Sequence, residues 1–143
     1  MKSFFLSFIR EREMAAFLAV AWMAVIFMLS SFPGSPVKYE MPILLYMERK
    51  GAHVFEFFLL SLLAWNALRL FLPREKNGFV ILLSATISLS YAVLDETHQI
   101  FVPGREGKVT DILFDGTGIF LGMLLVVFFR KKFLKKKRKT SAS

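Results

Sequence analysis

The sequence predicts an all-α protein, an integral membrane four-helix bundle. Three observations lead there. Four long apolar stretches recur along the 143 residues, each close to the ~20 residues that cross a bilayer as a helix. Clusters of Pro and Gly, the strongest turn formers, separate them. The composition is 55% hydrophobic with 17 Phe, and the mean hydropathy is +0.52, richer than the ~45–50% of an ordinary soluble domain. One domain is the natural reading at this length. Without cysteine there is neither a disulfide framework nor a thiolate metal site.

Residues 1–13 read as a short amphipathic lead on the cytoplasmic side. Phe4, Phe5, Phe8 and Ile9 share one side, and Lys2, Arg10 and Arg12 reach for water, as in an interfacial segment. The first span is Met14–Phe32, 19 residues without a charge. A cleaved signal peptide is the competing reading, but its apolar core would be ~7–15 residues. Pro33, Gly34 and Pro36 then end the helix. A loop follows to Lys50, within which Pro42–Met47 is too short to span and is expected to dip into the interface. The second span is predicted from Gly51 to about Leu72, with Lys50, His53 and Glu56 in its opening turns. Pro73–Gly78 is a turn. The third span starts at Phe79, runs into Asp95–Gln99 and stops before Pro103 and Gly104. Its Ser84, Ser88 and Ser90 are tolerable because a helical hydroxyl bonds back to a carbonyl. The fourth runs from Val109 to Phe129 and opens with Asp111 and Asp115. Residues 14–129 thus form the transmembrane domain and 130–143 a basic cytoplasmic tail.

The net charge of +8 belongs to that tail. Arg130–Lys139 holds eight basic residues, leaving 11 basic against 11 acidic elsewhere. A basic run directly after an apolar helix favours anionic lipid headgroups over nucleic acid; equally, it serves as a solvated flank that sets orientation. Lys/Arg-rich segments stay cytoplasmic. The N-terminus, the Arg69–Lys76 turn and the tail then share one side. Both termini are expected in the cytoplasm, with loops 33–50 and 100–108 outside.

That topology gathers the polar residues at the outer face. Ionisable groups near hydrocarbon cost roughly 2.5–3.5 kcal/mol each at a helix centre, so they pair or work. Lys50, His53 and Glu56 form one helical stripe. Asp111, Asp115, Gly118 and Gly122 share another face, acidic at its outer end and small further in, suited to close approach by another helix. Arg105, in a Pro-Gly-Arg turn, is expected either to grip a phosphate or to staple helices three and four through Asp95, Asp111 or Asp115. His53, Glu56, Asp95, Glu96 and His98 suit acid–base catalysis or a divalent metal, although no H-E-x-x-H helix is present. Asp95-Glu96-Thr97-His98 is no helicase box, because no phosphate-binding loop accompanies it.

The run Asp95-Glu96-x-x-Gln99-x-Phe101-Val102-Pro103-Gly104-Arg105, then Asp111, then Gly118-x-x-x-Gly122, resembles the VanZ-like membrane proteins of bacteria. So does Lys50-x-x-His53-x-x-Glu56-Phe57 upstream. The resemblance covers roughly residues 50–122. It departs at Asp115, where an amide such as Asn is expected, and at Lys108, where a small polar residue is commoner. It implies a multi-pass protein of the bacterial plasma membrane, in a family whose named member is associated with low-level resistance to the glycopeptide teicoplanin. Three functions follow as expectations. The first is an envelope protein whose outward pocket binds a lipid, a lipid-linked envelope molecule or a lipoglycopeptide. In it, Lys50, Gln99, Arg105, Asp111 and Asp115 are the binding residues. The second is a membrane enzyme in which His53, Glu56, Asp95, Glu96 and His98 carry acid–base or metal chemistry. The third is an assembly subunit that packs its Gly118/Gly122 face on a partner.

Overall fold

Four helices build the chain in the computed structural model, which describes residues 2–34, 43–105 and 107–140, with side chains described over 10–34, 43–44, 47–105 and 107–130. They are α1 (Lys2–Ser30), α2 (Ile43–Phe71), α3 (Asn77–Gln99) and α4 (Val109–Thr140). Each contains a stretch long and apolar enough to cross a membrane: Arg10–Ser30, Met47–Phe71, Asn77–Gln99 and Val109–Arg130. The chain is a multi-pass membrane protein of the predicted class.

Side chains are sorted for lipid rather than water. Phe17, Val20, Met28, Leu82, Leu94, Phe120 and Phe128 point outward, while Lys50, His53, Asp95, Glu96, Gln99, Asp111 and Asp115 are buried. Ile26, Phe57, Leu60, Ala92, Ile119, Met123 and Val126 form the apolar core, with Trp22, Trp65 and Tyr91 against it. Two aromatic side chains donate across helices to backbone carbonyls. The Trp22 Nε1–H bonds the Glu56 carbonyl at 2.9 Å and the Tyr91 hydroxyl bonds that of Met23 at 2.6 Å. Within an apolar medium such polar handles need partners.

The helix α2 packs on all three others and most extensively on α4. Up-down connectivity makes α2 and α4 parallel. They pair with an offset of 61 or 62 residues, Lys50 with Asp111 and His53 with Asp115. Further along, Gly118 and Gly122 lie against Val54, Phe58 and Ser61. A Cβ at Gly118 would overlap the Val54 carbonyl oxygen, so the small face is what permits this approach. It is covered by α2 of the same chain, which corrects the expectation of a surface held open for a partner.

Three boundaries differ from prediction. No break separates the lead from the first span, because α1 is continuous from Lys2; the Phe4, Phe5, Phe8 and Ile9 side chains lie outside the described residues. The segment expected to dip into the interface, Pro42–Met47, is helix from Ile43, with Pro42 outside the described residues. Leu, Met, Glu, Arg and Lys are strong helix formers, and Gly51 costs only ~1 kcal/mol in such a run. Lys50 therefore sits inside α2 rather than at its mouth. At the other end, α4 continues past Phe129 through the basic run to Thr140. Residues 37–42, with Tyr39 and Glu40, and the side chains of Tyr46, Glu106 and 131–143 lie outside the described residues.

Candidate functional site

The polar site occupies one end of the bundle, where α1 and α3 finish and α2 and α4 begin. The i, i+3 and i+4 spacings decide which side chains meet there. On α3, Asp95, Glu96 and Gln99 turn inward together and are all buried. On α2, Lys50 and His53 do the same, with half-buried Glu56 one turn on. On α4, Asp111 and Asp115 are one turn apart.

Most of these groups hold one another. The Lys50 ammonium pairs with Asp111 Oδ1, and also lies 5.2 Å from the centre of the Phe114 ring. Thr110 Oγ1 donates to the same oxygen of Asp111 at 3.2 Å. His53 Nδ1 is 3.0 Å from Asp115 Oδ1. Asp95 receives Ser30 Oγ at 2.6 Å and Gln99 Nε2 at 2.8 Å. Glu96 accepts the Lys108 backbone N–H at 2.8 Å, which ties the end of α3 to the start of α4. One buried atom departs from this pattern: Asp115 Oδ2 has no hydrogen-bond partner among the described residues.

Arg105 does not make the expected staple between α3 and α4 carboxylates. Its Nε donates to the Phe32 carbonyl and its Nη2 to that of Leu29, each at 3.0 Å, while Nη1 donates to Gln99 Oε1 at 3.2 Å. The reason is the end of α1. Leu29 is among the last residues of that helix, whose final carbonyls lack intrahelical donors and carry partial negative charge. A guanidinium, with five donors in a fork, satisfies two carbonyls at once. Burial and the nearby Arg49 push the Arg105 guanidinium below its ordinary range, while Asp95, Glu56 and Glu96 pull it back up; it remains a cation.

The loops interlock to place Arg105. Gly34 N–H donates to the Pro103 carbonyl at 3.0 Å. Gly104 has φ +72°, and its backbone crosses that of Gly34 so closely that a Cβ on either would strike the other chain segment. Both positions therefore require glycine.

Beneath this crossing is a cavity of about 100 Å³, lined by Leu29, Ser30, Arg49, Ala52, His53, Glu56 and Arg105. That is room for several waters on a scale where about 10–15 Å³ admits one. Glu56 lies within electrostatic reach of His53, Asp95, Asp115 and Arg105.

The structure thus brings together nine of the ten predicted site residues: Lys50, His53, Glu56, Asp95, Glu96, Gln99, Arg105, Asp111 and Asp115. His98 is the exception. It turns toward α1, with Nε2 3.0 Å from Ser31 Oγ and its ring 4.4 Å from that of Phe27. It is adjacent in sequence to Gln99 but about 100° away around the helix. Sequence reasoning missed Arg49 and Ser30. Arg49 stands at i−4 from His53 and i−7 from Glu56, a helical stripe that is visible only once α2 is extended back through that residue. Ser30 had no signal beyond its place at the end of an apolar run.

The family model described as VanZ/LLP1 matches residues 15–130, which includes every residue of this site. No curated protein and no solved structure matches the chain.

Proposed function

The chain belongs to the VanZ-like family, and from that premise we propose that it is a bacterial cell-envelope protein whose polar cavity binds the anionic part of a lipid or lipid-linked envelope molecule. The observation that carries the reading is the pair of guanidinium side chains, Arg49 and Arg105, at one small cavity beside His53 and Glu56. Guanidinium groups recognise phosphate and carboxylate oxygens in bidentate fashion. Lys50, expected in that role, is turned instead to Asp111. Arg49 is its replacement as the ligand contact, and Arg105 positions the cavity wall by holding the end of α1. The basic segments favour the orientation in which the cavity faces outward and both termini stay in the cytoplasm. There, capture of a lipid-linked molecule lowers the susceptibility of the cell to a lipoglycopeptide such as teicoplanin. The basic tail contacts anionic headgroups at the opposite face.

Native mass spectrometry of the detergent-purified chain, titrated with a phosphatidylglycerol, a polyprenyl phosphate and a phosphatidylcholine, tests the reading. The two anionic lipids are expected to bind in preference to phosphatidylcholine. Arg49→Ala is expected to weaken them about tenfold, the loss of one charge-assisted contact of ~1.5 kcal/mol. Equal retention of all three lipids, unchanged by Arg49→Ala, would remove the basis for a headgroup site. Expression of the wild-type chain and of Arg49→Ala in a teicoplanin-susceptible strain then asks whether binding and susceptibility move together.

One observation favours the enzyme as a second reading. His53 meets the cavity and is oriented by the Asp115 carboxylate at 3.0 Å, the arrangement of a general base and its positioning acid. In that case His53→Ala leaves lipid binding intact and abolishes turnover of a lipid-linked substrate.

A further inference from the structure

We propose that His53, Glu96 and Asp115 form a site for one divalent transition-metal ion of the zinc class. The three side chains come from α2, α3 and α4, and all are buried. One donor atom of each lies within 4.8 Å of the other two. This donor set differs from the one expected from sequence. Asp115 enters it, while Glu56, Asp95 and His98 fall outside.

Two observations support the site beside that geometry. The first is the orphan oxygen. Asp115 is fully buried, its Oδ1 meets His53, and its Oδ2 has no hydrogen-bond partner. A buried carboxylate oxygen left unpaired is costly, whereas a metal ion satisfies it directly. The second is the outer support that metal ligands need. Glu96 is held by the Lys108 backbone N–H at 2.8 Å and lies 3.5 Å from the Gln99 amide nitrogen.

The chemistry of the donors selects the ion. One imidazole and two carboxylates suit Zn²⁺ and, next, Mn²⁺; a magnesium ion takes oxygen and keeps its waters. Around a tetrahedral zinc with bonds of ~2.0–2.1 Å, ligand atoms stand ~3.3–3.4 Å apart. Three protein ligands leave a fourth position open. The site shares His53 with the cavity, but its donor set does not depend on which headgroup the cavity takes.

The test uses the full chain without an affinity tag, purified in detergent, stripped with EDTA and titrated with ZnCl₂ by calorimetry. Elemental analysis follows desalting. About one zinc per chain is expected, with a rise in the thermal unfolding midpoint that MgCl₂ does not produce. Glu96→Gln and Asp115→Asn are expected to weaken zinc by ~100-fold or more, given that loss of outer partners alone costs ~10–100-fold. His98→Gln, which removes the other histidine, is expected to leave it unchanged. Absence of stoichiometric zinc or manganese from the wild-type chain, with no midpoint rise, overturns the proposal, as does zinc lost in His98→Gln but kept in Asp115→Asn. Should Asp115→Asn fail to fold, Glu96→Gln and the wild-type midpoint shift decide. Lipid binding by the EDTA-stripped chain, measured separately, keeps the failure of this site distinct from failure of the headgroup reading.

Discussion

Lys50 and Asp111 show what a charge inside a bundle is worth. Both are buried, and each neutralises the other. Removing one partner strands a charge, which typically costs ~3–5 kcal/mol, while replacing both with apolar groups is often neutral or better. Lys50→Met alone is expected to lose stability in that range. The double variant Lys50→Met, Asp111→Leu should return to within ~1 kcal/mol of the wild type. Denaturant unfolding of the four members of the cycle in detergent measures this. Two additive losses would show that the pair does not interact. This pairing was half legible beforehand. Topology placed Lys50 and Asp111 at the same end of the bundle, but not which anion each cation would take. Arg105 shows the limit: its partners are the carbonyls of Leu29 and Phe32. Backbone acceptors leave no trace in residue type, so only the folded course of α1 reveals them.

Between helices, the α2–α4 contact rests on missing side chains. A Cβ at Gly118 would meet backbone atoms of Val54 and Phe58, whereas one at Gly116 meets nothing within 4 Å. Gly118→Ala is expected to destabilise by ~1–3 kcal/mol through overpacking. Gly116→Ala, two residues away, should be neutral or gain up to ~1 kcal/mol from helix propensity. Thermal unfolding of the two variants side by side checks the contrast, and equal effects would contradict the packing described. The shared face of Asp111, Asp115, Gly118 and Gly122 was readable from 100° per residue. Its occupant was not, because periodicity shows which side chains align and never what lies opposite. The start of α2 failed for a related reason: Pro36 and Pro42 drew the loop onward, although the residues from Ile43 are themselves good helix formers.

For the molecule as a whole, the four-span architecture was legible because hydrocarbon allows so few alternatives. Sidedness rests on the distribution of Lys and Arg, and the lack of cysteine makes it directly testable. In intact cells, a membrane-impermeant maleimide is expected to label Lys108→Cys, beside the polar site. It should reach Glu75→Cys, in the turn after α2, only after permeabilisation. The reverse pattern would put the cavity in the cytoplasm and exclude an outward-facing role. The crossing of Gly34 over Gly104 has a consequence for how the protein is made. Because Pro103–Arg105 is synthesised long after α1, the first helix enters the bilayer before the guanidinium that meets the carbonyls of Leu29 and Phe32 exists. The emerging loop then closes over it, like a latch. A chain that stops before that loop lacks Arg105, and so leaves the end of α1 without the guanidinium that holds it.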